Sequence, residues 1–269
     1  MTKDESQFYK PEEEIFHNDG REERLLEFIR AHPDYNDMQG SPEKILAAID
    51  QYGRTTDFLM NVGKEKGKIV AEDLIPRFKP DLMVELGGYV GYSALLFGAA
   101  LKRSGGRKYL SLEASSKFAA ISSSLIELAG LDDIVEIRIG PCRESLRKLR
   151  QSHSTGVVDV FFIDHAKVEY VNDLKLCEEL MLVGPGTTVI ADNVISPGAP
   201  DYLEYVRSPT SEKIAKFQRE KLSPLSDKTK DTSFGDPYLV YETTLIDSFE
   251  PTGEPDSLEV SSCLRIEAH

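Results

Sequence analysis

The run Met83-Val84-Glu85-Leu86-Gly87-Gly88-Tyr89-Val90-Gly91-Tyr92-Ser93 constrains the fold of this chain more than any other stretch. It begins as an apolar strand, turns through glycines and continues into a helix starting near Tyr92-Ser93-Ala94. A strand, glycine turn and helix in that order build the crevice at which α/β sheets hold nucleotide-like ligands. A dinucleotide fingerprint has the spacing G-x-G-x-x-G and brings backbone against a pyrophosphate. Here Gly87 and Gly91 are separated by three residues and Glu85 lies just before the turn, where its carboxylate would repel a phosphate. S-adenosylmethionine carries a sulfonium, an ammonium and ribose hydroxyls but no phosphate, and suits an acid-flanked turn better.

A second acid strengthens this reading. After a helix over 93–102, the strand Lys108-Tyr109-Leu110-Ser111-Leu112 ends at Glu113. That is where a ribose-binding acid belongs in a βαβ unit, although a helix-capping glutamate would occupy the same place. Strands expected over 135–139, 157–163 and 187–191 are nearly all apolar, as strands covered on both faces must be. Their alternation with helices to about residue 207 predicts an α/β fold with a mostly parallel, doubly wound sheet. Earlier segments read as helices: Leu25, Leu26, Phe28 and Ile29 form one stripe, Ser41-Pro42 opens a second helix, and residues 63–78 form a third. Residues 1–20 read as a polar, acid-rich arm and 21–269 as one domain, closed by strands over 238–246 and 258–266 around an enlarged turn at 251–256. The segment 208–236 has no clear assignment.

Composition narrows the partners. With 269 residues and 40% apolar content the chain can bury a full core. A formal net charge of −14 disfavours nucleic acid and anionic membrane surfaces, both of which call for a basic face. Cys142, Cys177 and Cys263 have no metal-site spacing and leave one thiol over in any pairing, which points to a reducing, cytoplasmic setting. No stretch is apolar for long enough to span a bilayer.

The chemistry is expected where the strands end. Asp164, Asp192 and Asn193 supply hard oxygens of the kind magnesium prefers, while each is also a common turn or cap residue. Lys167, three residues after Asp164, would face the same crevice and suits a general base if partly desolvated beside a cation; alone it would be a solvated charge.

Taken together, Met60-Asn61-Val62-Gly63, the glycine turn at 85–93, Asp164-His165-Ala166-Lys167, Ala191-Asp192-Asn193-Val194-Ile195 and Pro197-Gly198-Ala199-Pro200-Asp201 resemble the catechol O-methyltransferase family over residues 40–207. The resemblance implies a Rossmann-like methyltransferase sheet of seven strands, helices on both faces, and an antiparallel C-terminal hairpin. It implies that Val62, Glu85, Ser93, Glu113, Cys142 and Asp164 surround S-adenosylmethionine, with His165 at the adenine and Gly87, Tyr89 and Ala114 completing the cofactor set. Magnesium would be held by Asp164, Asp192 and Asn193. A small-molecule catechol would meet Asp164, Lys167 and Asn193, with Lys167 as general base, and Glu242 is the candidate for a further substrate-binding acid. A monomer is expected.

The chain departs from the family pattern in having no tryptophan: Ala166 follows the Asp-His pair, and Phe58 precedes Met60. A missing indole removes up to about 200 Å² of contact, so the adenine and acceptor walls are altered. Three readings follow: a magnesium-dependent catechol methyltransferase, a methyltransferase for another vicinal diol or phenol, or a binding protein that has lost turnover. The intact metal and base residues disfavour the last, and the glycine spacing disfavours a nicotinamide oxidoreductase.

Overall fold

A computed structural model describes residues 7–11, 19–152, 156–222 and 231–267. Among the described residues five α-helices precede the sheet: α1 (Arg21–Arg30), α2 (Tyr35–Met38), α3 (Pro42–Thr55), α4 (Gly63–Lys68) and α5 (Ile75–Phe78), the last two joined by a π-helical turn (Ile69–Leu74). The alternating core is β1 (Leu82–Leu86), α6 (Tyr92–Arg103), β2 (Lys108–Glu113), α7 (Ser116–Leu128), β3 (Val135–Ile139), α8 (Cys142–Gln151), β4 (Val160–Ile163), α9 (Tyr170–Glu179) and β5 (Thr188–Ala191). The chain closes with α10 (Pro200–Arg207), α11 (Thr210–Leu222), β6 (Leu239–Phe249) and β7 (Pro255–Ile266).

The seven strands lie in the order β3-β2-β1-β4-β5-β7-β6. The first five are parallel, and β7 pairs antiparallel with both β5 and β6. This is the expected α/β sheet with its antiparallel hairpin. The strand order reverses between β1 and β4, so their carboxyl ends open the crevice between them. One apolar layer packs α3, α6 and α7 on one sheet face, around Ile49, Phe97 and Phe162. The other packs α8, α9 and α10 on the opposite face, around Phe161, Tyr170 and Tyr202. β1, β4 and β5 are almost wholly buried, which accounts for their mostly apolar sequence, with Glu85 the one charged residue among them.

The structure departs from the sequence reading in several places. The helix expected over 63–78 contains a π-helical turn. The unassigned segment 208–236 holds helix α11, while residues 223–230 lie outside the described set. The N-terminal arm is not a loose extension where it is described: Tyr9 is 7% exposed, its backbone N–H donates to the Pro251 carbonyl at 2.9 Å, and its hydroxyl donates to Asp50 Oδ1 at 2.7 Å. Residues 1–6 and 12–18 of that arm are outside the described residues.

Candidate active site

The exit of β1 is shaped by close approach of two chain segments. Gly87 has φ +95°, and a Cβ there would stand 2.5 Å from the Asp164 carbonyl oxygen at the exit of β4. Only glycine lets the two strand ends come so close. Beneath this turn Glu85 is fully buried. Ser111 Oγ donates to its Oε2 at 2.5 Å, while Oε1 has no partner. Burial pushes the Glu85 carboxyl up to about 7 despite the hydrogen bonds that favour its charge. An unpartnered carboxylate oxygen beneath a cavity fits the ammonium of a bound S-adenosylmethionine, since leaving it buried and unpaired is unfavourable.

Above it lies a cavity of about 740 Å³ lined by Val62, Gly87, Tyr89, Ser93, Glu113, Ala114, Cys142, Asp164 and His165. These are the residues expected around the cofactor, with Glu85 lying just below. Glu113 accepts from the Tyr89 N–H at 2.8 Å and the Ser115 N–H at 2.7 Å, which fixes its carboxylate at the end of β2. Tyr89, at φ +44°, donates its hydroxyl to Glu22 Oε1 at 2.7 Å and sets its ring edge-on to Phe118, centroids 5.0 Å apart. His165 stacks on Tyr170 with centroids 5.1 Å apart and shares a 3.0 Å hydrogen bond from Nε2 to Asp173. His165 Nδ1 is buried and has no hydrogen-bond partner. Burial and the Asp173 carboxylate push the Cys142 thiol up to about 12, so it meets a ligand as a neutral thiol. Ala166 is exposed, and the wall an indole would form is open there.

The other half of the cavity is polar. Lys167 opens a short 3-10 turn after β4, and its Nζ donates to Asp164 Oδ1 and Asn193 Oδ1, both at 2.9 Å, and to the Tyr170 hydroxyl at 2.7 Å. Tyr170 donates in turn to the Asp192 carbonyl at 3.0 Å, tying the exits of β4 and β5 together. Asn193 adopts φ +55°, a left-handed conformation that asparagine tolerates, and its Oδ1 thereby reaches the Lys167 ammonium. Asp164, Lys167, Asp192 and Asn193 therefore gather at two adjacent strand ends, as the sequence suggested.

A cluster that the sequence reading missed lies directly behind them. Lys66, from α4, is fully buried and its Nζ contacts Asp192 Oδ1 at 2.5 Å, Asp256 Oδ2 at 2.9 Å and Glu250 Oε1. Asn193 Nδ2 also donates to Glu250 Oε1 at 2.6 Å. Burial alone would lower the lysine, but the carboxylates of Asp192, Glu250 and Asp256 outweigh it and hold the ammonium charged. Glu250 is pushed up to about 8 by burial, against the pull of Lys66. In the sequence Lys66 is one of three lysines in Lys64-Glu65-Lys66-Gly67-Lys68. Its flanking glycine, Gly67, where a Cβ would stand 2.6 Å from Leu96, was the one local sign that this face packs inward.

Glu242 does not join the site. It is exposed on β6 opposite Ser262, which itself pairs with Thr188 at the start of β5. The chemistry lies at the other end of β5, roughly 13 Å away at the usual rise per residue. The cause is strand length: β6 continues to Phe249 and β7 starts at Pro255, so the turn is shorter than expected and delivers Glu250 to the cavity.

The donor set fits a hard divalent cation. Asp164 and Asn193 already converge on one positive charge, the Lys167 ammonium. Asp192 is 1% exposed, and burial and the Asp164 charge both push its carboxyl up, a repulsion that a cation between them would relieve. Of the four acids here, Asp192, Glu250 and Asp256 bring carboxylate oxygens within 4.8 Å of one another, but Lys66 already sits among those oxygens.

Comparisons with known proteins agree with this geometry. A family model described as O-methyltransferase matches residues 45–221. Bovine catechol O-methyltransferase is 36% identical over 198 residues, covering 74% of this chain and 70% of that protein. The mouse enzyme of the same name is 38% identical over 191 residues, covering 71% and 69%. A mouse transmembrane O-methyltransferase homolog is 35% identical over 188 residues, 70% of each chain; among the described residues here, no helix is long and apolar enough to cross a membrane. Among solved structures, the O-methyltransferase of Bacillus cereus in complex with SAH shares the fold with a TM-score of 0.52 and 22% identity over 93% of each chain. TomG from Streptomyces achromogenes does so with a TM-score of 0.53 and 18% identity, over 93% of this chain and 92% of that one. Sheet order, cavity and relatives together place this chain in the catechol O-methyltransferase family, as an S-adenosylmethionine-dependent O-methyltransferase.

Proposed function

We propose that the protein transfers the methyl group of S-adenosylmethionine to one hydroxyl of a catechol held at magnesium, with Lys167 as general base. The observation that carries this reading is the convergence of Lys167 Nζ on Asp164 Oδ1 and Asn193 Oδ1, each at 2.9 Å, on the floor of the cavity. Magnesium would be held by Asp164, Asp192 and Asn193, and when bound it would chelate two adjacent hydroxyls and favour their ionised form. The remaining work falls to the chain. Glu85 and Ser93 hold the methionine end of the cofactor, and Glu113 the ribose. A cation held by Asp164 and Asn193 would take over the partners of Lys167 and favour loss of its ammonium proton to solvent, leaving a neutral amine whose lone pair would accept the acceptor's phenolic proton. The oxyanion left behind displaces the methyl group from sulfur, leaving S-adenosylhomocysteine. Holding donor and acceptor in line supplies much of the acceleration. Glu250, rather than Glu242, is the acid placed to contact the acceptor. The exposed alanine at 166 and the absence of tryptophan favour a wider range of vicinal diols than an indole-walled site would admit. The three free cysteines fit a reducing, cytoplasmic compartment.

The test is incubation with S-adenosylmethionine and 1,2-dihydroxybenzene, with magnesium or with EDTA. Methylated product that vanishes in EDTA is expected. Product of equal yield in EDTA refutes the metal reading, and no product despite bound S-adenosylhomocysteine refutes the catechol reading.

A further inference from the structure

The short described segment before α1 is built into the cavity wall. The backbone N–H groups of Tyr9 and Lys10 donate, at 2.9 Å each, to the Pro251 carbonyl in the β6–β7 turn and to the Gly53 carbonyl in α3. The Tyr9 hydroxyl donates to Asp50 Oδ1 at 2.7 Å and accepts from Asn61 Nδ2 at 3.4 Å. Tyr9 and Pro11 line the same cavity as Glu250, Thr252 and Glu254 of that turn.

Two glycines make room for this contact. A Cβ on Gly53 would stand 2.5 Å from the Tyr9 ring, and one on Gly253 would stand 2.6 Å from the Phe8 ring. Within a helix glycine is less favourable than alanine, so Gly53 in the last turn of α3 is explained by the ring lying across it. Among the described residues the turn is held by Glu250 on Lys66 and Asn193 and by Pro251 packed against Gly63, and the strap adds a backbone tie between Pro251 and Gly53 of α3.

We propose that residues 7–11 form a positioning strap for the acceptor half of the site. By pinning the 250–254 turn, the strap holds Glu250 in place beside Asn193 and closes one flank of the space in which the catechol sits. Tyr9 is a positioning residue and acts through that turn. This inference rests on the methyl-transfer reading above.

The experiment measures two affinities separately in the full chain: S-adenosylhomocysteine alone by calorimetry, and 4-nitrocatechol by its absorbance change with S-adenosylhomocysteine and magnesium present. Gly53→Ala keeps every strap residue and improves a helix position, yet drives the Tyr9 ring off its seat. It should weaken nitrocatechol binding about ten-fold while changing S-adenosylhomocysteine affinity less than about two-fold. Tyr9→Ala should behave alike, Tyr9→Phe should stay near wild type, and Gly53→Ala with Tyr9→Ala should be no worse than Tyr9→Ala alone, since no ring is left to strike. Unchanged nitrocatechol affinity in both single variants overturns the strap. Equal losses for both ligands also overturn it and assign Tyr9 to the cofactor side or to the fold. A wild-type protein that binds S-adenosylhomocysteine but not nitrocatechol refutes the catechol reading itself, and the strap with it.

Discussion

Replacing Lys66 by methionine keeps most of the length of the side chain and removes its charge, leaving Asp192, Glu250 and Asp256 around a buried apolar group. Lys66 is fully buried and within 2.9 Å of both Asp192 and Asp256, so no water can take its place without the cluster opening. Breaking a buried ion pair by removing one partner costs about 3–5 kcal/mol. For a domain of about 250 residues this corresponds to a fall in Tm of roughly 6–20 °C. The pH dependence follows from the directions of the shifts. The lysine is held above its ordinary value, so its contribution is complete below the unfolded lysine pKa, about 10.4, and is lost only as pH rises beyond it. The variant has no cation to offer, but it can neutralise its acids by protonation. Glu250, already pushed up to about 8, takes a proton first. The deficit of Lys66→Met should therefore be largest in mild alkali and shrink on acidification towards about pH 5. Thermal melts followed by far-UV circular dichroism in EDTA, from about pH 5 to 9, read both quantities. A fall in Tm below about 2 °C at neutral pH, or a deficit that grows in acid, would refute the argument.

Three further predictions test the rest of the site. Lys167→Ala should lower kcat by about 100-fold or more while S-adenosylhomocysteine affinity holds; equal losses in calorimetry and turnover would contradict the general-base assignment. Glu85→Gln should weaken cofactor binding above neutral pH, and wild-type affinity should fall as pH drops below about 7, where the buried carboxyl takes up its proton. Because the folded pKa of Glu85 is raised, its burial favours the fold at acid pH and that advantage is lost as pH rises through about 7, so apo Glu85→Gln should melt no lower than wild type at alkaline pH. Glu250→Gln should raise the acceptor KM whereas Glu242→Gln should leave it unchanged, and a KM effect confined to position 242 would reverse the placement of the two acids.

Much of the fold and half of the site could be read from the chain alone, because both depend on short-range pattern. Strands covered on both faces must be mostly apolar, and a strand that opens through Gly87 into a helix leaves its polar residues near the carboxyl end of the sheet. Glu85, Glu113, Asp164, Lys167, Asp192 and Asn193 all follow from that rule, since each lies in or just after a strand whose limits are set by local composition. Boundaries in the hairpin are weaker. Glu242 lies in, and Glu250 just after, the strand expected over 238–246, and only the pairing of β6 with β7 decides which end reaches the cavity.

What tertiary structure decided is which distant residues share a charge or a surface. Lys66 and Asp256 are 190 positions apart and meet in a 2.9 Å contact; within the lysine-rich stretch around residue 66 only the adjacent Gly67 hints at which lysine is buried, and nothing there names its partners. Tyr9 looks like part of a polar arm until its backbone is seen bonded to Pro251 and its ring laid on Gly53. Local sequence sets the preference of each segment for helix, strand or turn through sterics and hydrophobic period. Desolvation and ion pairing act through space, so the identity of a buried charge is settled only when the chain has closed around it.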